Sequence, residues 1–151
     1  MSGIVGGAGT KSGLIGGTEV IFSGYLTTAV TSSGVILQWT ENEDSDNAMA
    51  SGVFTVPIAG IYQIITSVSI LTTPQYANYA GRADIQIDNT VVSSTALLGY
   101  KMSSTRELDG TAVYTKQLAL NAEIKIESYF AGTAHTIYTG PKTTLSIIRM
   151  G

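Results

Sequence analysis

The stretch GVFTVPIAGIYQIITSVSIL (Gly52–Leu71) decides the fold. Its residues are mostly β-branched, aliphatic or aromatic, and they alternate with period two rather than the 3.6 of a helix. The pattern predicts a short strand ending at Pro57, because proline has no N–H to donate to a ladder. A turn at Ala59-Gly60 and a long strand follow. In the long strand, alternate residues are predicted to share a face that points to the core: Tyr62, Ile64, Thr66, Val68 and Ile70.

From Glu19 onward, the chain on both sides of this stretch has the same strand-like pattern of residues. About nine or ten short apolar runs are separated by turn residues, and none has a helical period. The pattern predicts an all-β, two-sheet antiparallel sandwich or a barrel.

Three segments carry finer strand predictions. The segment from Thr111 to Gly132 predicts the strongest strand pair, with a turn at Asn121-Ala122. Before a turn at Asp88-Asn89, an alternating strand predicts apolar residues in the core and polar residues in water: Ala83, Ile85 and Ile87 against Asp84, Gln86 and Asp88. The closing strand is predicted to point Leu145 and Ile147 inward.

Composition bounds the class of protein. A chain of 151 residues with 44% hydrophobic content suits one domain with a core. The net charge of -3 argues against a nucleic-acid partner. With no cysteine, neither disulfides nor a thiolate metal site can form. The first residues lack a secretory signal pattern, and no apolar run reads as a membrane helix, so we expect no membrane partner.

Residues 1–17 differ from the rest and predict an extended glycine-rich arm before a head domain of residues 18–151. Seven of the 17 residues are glycine, and SGIVGG is echoed ten residues later as SGLIGG. Ordering such a chain costs about 1–2 kcal/mol per residue, so we expect a partner surface to hold it. A linker that packs on its own head is the alternative. The predicted contact residues are Ile4, Val5, Lys11, Leu14 and Ile15.

Candidate chemistry is sparse in this sequence. The single histidine, His135, has no nucleophile motif or second histidine to work with, so neither a triad nor a zinc site is expected. The acidic run from Glu41 to Asp46 predicts a solvated surface loop, with a cation site as the alternative. We therefore predict no enzyme activity, no cofactor and no metal.

The order G-x-F-T-x-P-x-x-G-x-Y (Gly52–Tyr62) resembles the signature of the tumour necrosis factor and complement-component-one-q globular head superfamily. The run LALNAEIKI (Leu118–Ile126) and the apolar closing strand are similar to further parts of that pattern, although LSIIRMG lacks the usual Phe-Gly pair. The resemblance covers roughly Val20 to Gly151. It implies a jelly roll and a homotrimer in which one sheet of each subunit packs around the axis.

Within such a trimer, three aromatic residues are candidates for the axial contact, with packing inside the domain as the alternative for each: Trp39, Tyr129 and Phe130.

The arm and head together resemble structural proteins of tailed bacteriophages. This resemblance implies a trimeric capsid decoration or cement protein, anchored by residues 1–17 to the major capsid protein or another virion protein. Its expected location is the virion, after assembly in the host cytoplasm. The alternative is a fibre-tip domain that binds a host glycan or receptor through the acidic run and loop tyrosines, Tyr76 and Tyr79. A secreted signalling ligand is the third and weakest hypothesis.

Overall fold

The computed structural model describes residues 19–36, 38–72, 79–99, 106–131 and 135–150. These ranges contain strands and no helix, which confirms the all-β prediction. Consequently they hold no helical segment of the length and apolarity that crossing a bilayer requires. The strands are β1 (Glu19–Leu26), β2 (Gly34–Val35), β3 (Trp39–Asp44), β4 (Met49–Ala50), β5 (Val53–Thr55), β6 (Gly60–Thr72), β7 (Tyr79–Ile87), β8 (Thr90–Gly99), β9 (Arg106–Leu118), β10 (Glu123–Ala131), β11 (His135–Ile137) and β12 (Gly140–Met150).

The strands form two antiparallel sheets that pack face to face. Sheet I has the order β9-β6-β12-β1-β3, and β11 also pairs with β6. Sheet II has the order β8-β7-β10-β5-β4, and β2 also pairs with β10. Many neighbours are distant in sequence, as in the crossed connections of a jelly roll. The predicted two-sheet antiparallel sandwich is confirmed.

The stretch Gly52–Leu71 supplies one strand to each sheet. β5 belongs to sheet II and β6 to sheet I, so residues 56–59 cross from one sheet to the other. All five predicted inward residues of β6 are buried, as are Leu145 and Ile147 of β12, so these predictions are confirmed. The rings of Phe22 and Phe54 lie 6.2 Å apart and connect the two sheets through the core.

The prediction of a strand pair within residues 111–132 is wrong. β9 pairs with β6 in sheet I, whereas β10 pairs with β5 and β7 in sheet II. The predicted turn exists, with Asn121 at φ 65°, but it belongs to a second crossover between the sheets. Both strands are apolar on one face because both face the same core, and sequence alternation alone does not distinguish this from direct pairing.

Two predictions for polar segments are also corrected, the burial of one and the secondary structure of the other. Asp84 and Gln86 of β7 are buried rather than in water, because Asp84 accepts a 2.9 Å bond from Arg82 Nε and Gln86 donates to Glu127 of neighbouring β10. The acidic run is largely strand β3 rather than a loop, since it pairs with β1. By contrast, the Asp88-Asn89 turn is confirmed, with positive φ at both residues, as a two-residue hairpin requires.

Candidate association face

The outward face of sheet I carries several exposed apolar side chains. Residues paired across antiparallel strands share a face, so the register defines rows that cross β9, β6, β12 and β1. The central row runs Val113, Ile65, Ser146, Ser23. The next two rows run Thr115, Gln63, Ile148, Val20 and then Gln117, Ile61, Met150.

Across β9, β6, β12 and β1 these three rows contain no charged residue, and Glu43 on edge strand β3 ends the central row beside Ser23. The apolar members of the rows define what we term the association face: Val20, Ile61, Ile65, Val113, Ile148 and Met150. Val20, Ile61 and Val113 are 37%, 42% and 50% exposed, and the other three are half-buried. Covering each side chain would contribute about 1 kcal/mol, given about 25 cal/mol per Å² of apolar area. The face is therefore suited to contact with another protein surface.

Polar groups on the association side of the sheet bond to one another. The hydroxyls of Ser67 and Thr111 lie 3.0 Å apart, and Gln63 Nε2 donates to Thr115 Oγ1 at 3.5 Å. Polar groups that already have partners lose less when water is removed. The hydroxyl and amide groups beside the apolar rows are thus compatible with burial.

Charged residues lie at one end of this face. Lys142 Nζ donates to Glu107 Oε2 at 2.7 Å, and Ser69 Oγ donates to Glu107 Oε1 at 2.5 Å. The hydrogen bond from Lys142, and then that from Ser69, hold the pKa of Glu107 below its usual range. The same contact with Glu107 raises the pKa of Lys142. An uncharged centre with a charged border is the usual anatomy of a protein interface.

The outward side of sheet II has a different chemistry. Arg82 lies over the ring of Tyr129 at 4.7 Å and also pairs with Asp84. Lys125 donates to Asn89, and Gln86 donates to Glu127. Charged and amide groups dominate this side, so sheet I carries the more apolar outer surface.

Comparison with solved structures identifies the architecture. The globular domain of zebrafish complement 1qA matches with a TM-score of 0.63 and 14% identity, over 88% of this chain and 98% of that one. Eiger TNF from S. frugiperda matches with a TM-score of 0.61 and 11% identity, over 87% and 93%. Murine APRIL matches with a TM-score of 0.60 and 10% identity, over 85% and 96%.

The chain has the fold of the TNF and C1q heads. At these identities the likeness concerns the fold alone. No protein-family model matches the chain, and the search of curated proteins gave no match.

The TNF/C1q-like fold does not bring the three predicted interface aromatics together. Trp39 lies on edge strand β3 of sheet I, packs against the core, and has a buried Nε1 with no hydrogen-bond partner among the described residues. Tyr129 and Phe130 lie on β10 of sheet II. Tyr129 is exposed, whereas Phe130 packs against the core. Their role at an axis stays a prediction, and the association face contains none of them.

Other predicted site residues fall on parts of the chain that are not described. The arm residues Ile4, Val5, Lys11, Leu14 and Ile15 precede the first described residue, and Tyr76 lies in the gap before β7. Tyr79 begins β7, but its side chain is not described.

The acidic run uses one of its carboxylates for local structure in this TNF/C1q-like fold. Asp44 Oδ1 accepts the Ala48 N–H at 2.8 Å, and Oδ2 accepts the Met49 N–H at 3.1 Å. Among the described residues, no three histidine or acidic side chains are grouped as metal ligands would be. Asp44 therefore has a structural role as the cap of the turn that leads into β4.

The sequence does not predict the association face directly, although β6 contains a signal for it. Between its inward residues lie Ile61 and Ile65, so the strand is apolar on both faces. Such a strand is expected to be covered on both sides.

Proposed function

We propose that this chain is a non-enzymatic virion structural protein, a homotrimeric capsid decoration or cement protein whose residues 1–17 anchor it to the particle. The observation that carries the self-association in this proposal is the uncharged apolar association face on sheet I, whereas the virion role rests on the resemblance of the sequence to tailed-bacteriophage structural proteins. A surface of this kind favours contact with identical copies, because each copy presents the same apolar rows.

The threefold arrangement follows the resemblance to TNF and C1q heads, and the structural likeness supports it. In such a trimer, sheet I would face the axis and the polar side of sheet II would face water. Association would also contribute stability to a chain that has no cysteine to cross-link it. The head would serve as a rigid unit, with the arm as its attachment.

Substituting the centre of the association face tests self-association. Ile65→Glu places a carboxylate beside Val113 in every copy, so like charges would meet around the axis. We expect the mass in sedimentation velocity to fall from three chains to one. Val91→Glu is the matched control, since Val91 is exposed on β8 of sheet II and receives the same charge. Equal masses for the two variants would contradict the assignment of this face.

Removal of the arm tests anchoring. Seventeen residues rich in glycine cost roughly 17–34 kcal/mol of conformational entropy to order, which favours a large partner surface. We expect the full chain to pellet with particles of the virus that encodes it through a sucrose cushion, and residues 18–151 to remain in the supernatant. A full chain that stays in the supernatant counts against the virion proposal but leaves the trimer intact. An arm-less head that binds host cells would instead favour the fibre-tip alternative.

A further inference from the structure

Two crossover segments run side by side at one end of the sandwich. Residues 56–59 join β5 to β6, and residues 119–122 join β9 to β10. Val56 N–H donates to Ala122 O, and Asn121 N–H donates to Val56 O, both at 2.9 Å. The Gly60–Leu118 pair continues the same register into the strands. The two crossovers are therefore aligned, with Ile58 opposite Leu120.

Ile58 and Leu120, which we term the end pair, are the most exposed large apolar side chains of the described residues. They are 54% and 56% exposed, so they contribute little to the core. Scattered single apolar residues on a surface need no explanation, but two exposed ones at matching positions of adjacent crossover segments indicate a contact site.

The N-terminal arm leaves the head at this same end. β1 and β6 both begin here, because each pairs antiparallel with the end of β12. Glu19 pairs with Arg149, which pairs with Tyr62, so about 10 Å separates β1 from β6 at strand spacings of about 4.8 Å. The Tyr62 hydroxyl donates to Ile58 O at 2.6 Å, which fixes Ile58 beside that row.

We propose that Leu14 and Ile15 of the chain's own arm cover the end pair. The five Cα–Cα steps from Leu14 to Glu19 can span at most about 17 Å, enough to cross the three strand spacings of about 4.8 Å between β1 and β9. Gly16 and Gly17 accept the backbone angles that a return over the end of the sandwich needs. Residues 1–7, with Ile4 and Val5, then extend beyond the head, whereas Lys11 lies only three residues from the covered Leu14. This inference requires neither the trimer nor the virion, and it leaves Ile4 and Val5, rather than Leu14 and Ile15, as the arm's apolar contacts with a particle.

Tryptic cleavage after Lys11 measures the docking in the full chain. Lys11 is the only basic residue before Arg82, so loss of residues 1–11 is resolved by intact mass spectrometry. Ile58→Ser with Leu120→Ser should raise the cleavage rate at least about fivefold, because cleavage follows the population of the undocked arm. Val91→Ser changes an apolar residue on β8 that is 47% exposed, and it should leave the rate unchanged.

A second double variant changes only the arm and leaves the sequence of the head unaltered. Leu14→Ser with Ile15→Ser should raise the rate to the same extent, and combining it with the end-pair variant should add nothing further. Wild-type rates in either double variant would overturn the proposal. Protection that disappears on dilution would also overturn it, since the cover would then be a second copy.

Discussion

At the residue scale, Gly24 shows how closely sheet I is packed at the edge of the core. A Cβ at this position would lie 2.9 Å from the carbonyl oxygen of Thr40 and 3.0 Å from Cζ of Phe22. The Thr40 oxygen is backbone in strand β3, which pairs with β1, so it cannot rotate away. The absence of a side chain at Gly24 therefore lets β3 and the buried Phe22 ring approach β1.

We predict that Gly24→Ala lowers the free energy of unfolding by about 1–3 kcal/mol, the usual cost of overpacking. Gly60→Ala is the matched control, because its nearest atom would be 3.7 Å away, and its effect should stay within about 0.5 kcal/mol. Urea unfolding of both variants measures the difference. If the two variants lose the same stability, the steric account of Gly24 is wrong.

At the element scale, the second crossover depends on one unusual backbone conformation. Asn121 has φ 65°, in the left-handed region that β-branched residues avoid, and its N–H bonds to Val56 O. The turn therefore joins the two crossovers as well as redirecting the chain from sheet I to sheet II.

Asn121→Val should destabilise the head by about 1–2 kcal/mol, because valine at positive φ places its Cβ against the backbone. Asn121→Gly keeps the N–H and accepts the conformation, so it should change stability by no more than about 0.5 kcal/mol. Urea midpoints of the two variants report this contrast. Equal losses in both would show that the side chain, and not the backbone angle, matters here.

The sequence predicted elements more successfully than their partners. Alternation in β6 and β12 located the buried residues because a strand with one buried face must repeat every second residue. The same rule wrongly predicts that β9 and β10 form a hairpin. Alternation shows which face of a strand is buried but does not show which strand it pairs with. It also placed Asp84 in water, because bonds from Arg82 to a neighbouring carboxylate cannot be read from spacing.

The candidate site was predictable only in part. The arm and the acidic run differ in composition from their surroundings, but the arm lies outside the described residues and stays a prediction, and the acidic run is largely strand β3 rather than the predicted loop. The association face required the register, because Val113, Ile65 and Ile148 come from three strands that are far apart in the chain. Only the presence of apolar residues on both faces of β6 indicates the association face in the sequence.

At the scale of the whole molecule, the two outer surfaces of the sandwich have opposite characters. The three apolar rows of sheet I lack charge, whereas sheet II presents the Arg82–Asp84 ion pair and the stacked Tyr129. Burying the outer surface of sheet I between copies would leave the charged groups of sheet II in water, so few charged groups would lose their hydration. This asymmetry is why we assign association to sheet I.

The mass of the wild-type full chain in solution tests that assignment most directly. Sedimentation equilibrium at micromolar concentration should give three times the chain mass of 15.8 kDa. The trimer should persist on dilution until its apolar contacts no longer offset the entropy of association. A mass of 15.8 kDa at every concentration would contradict the account.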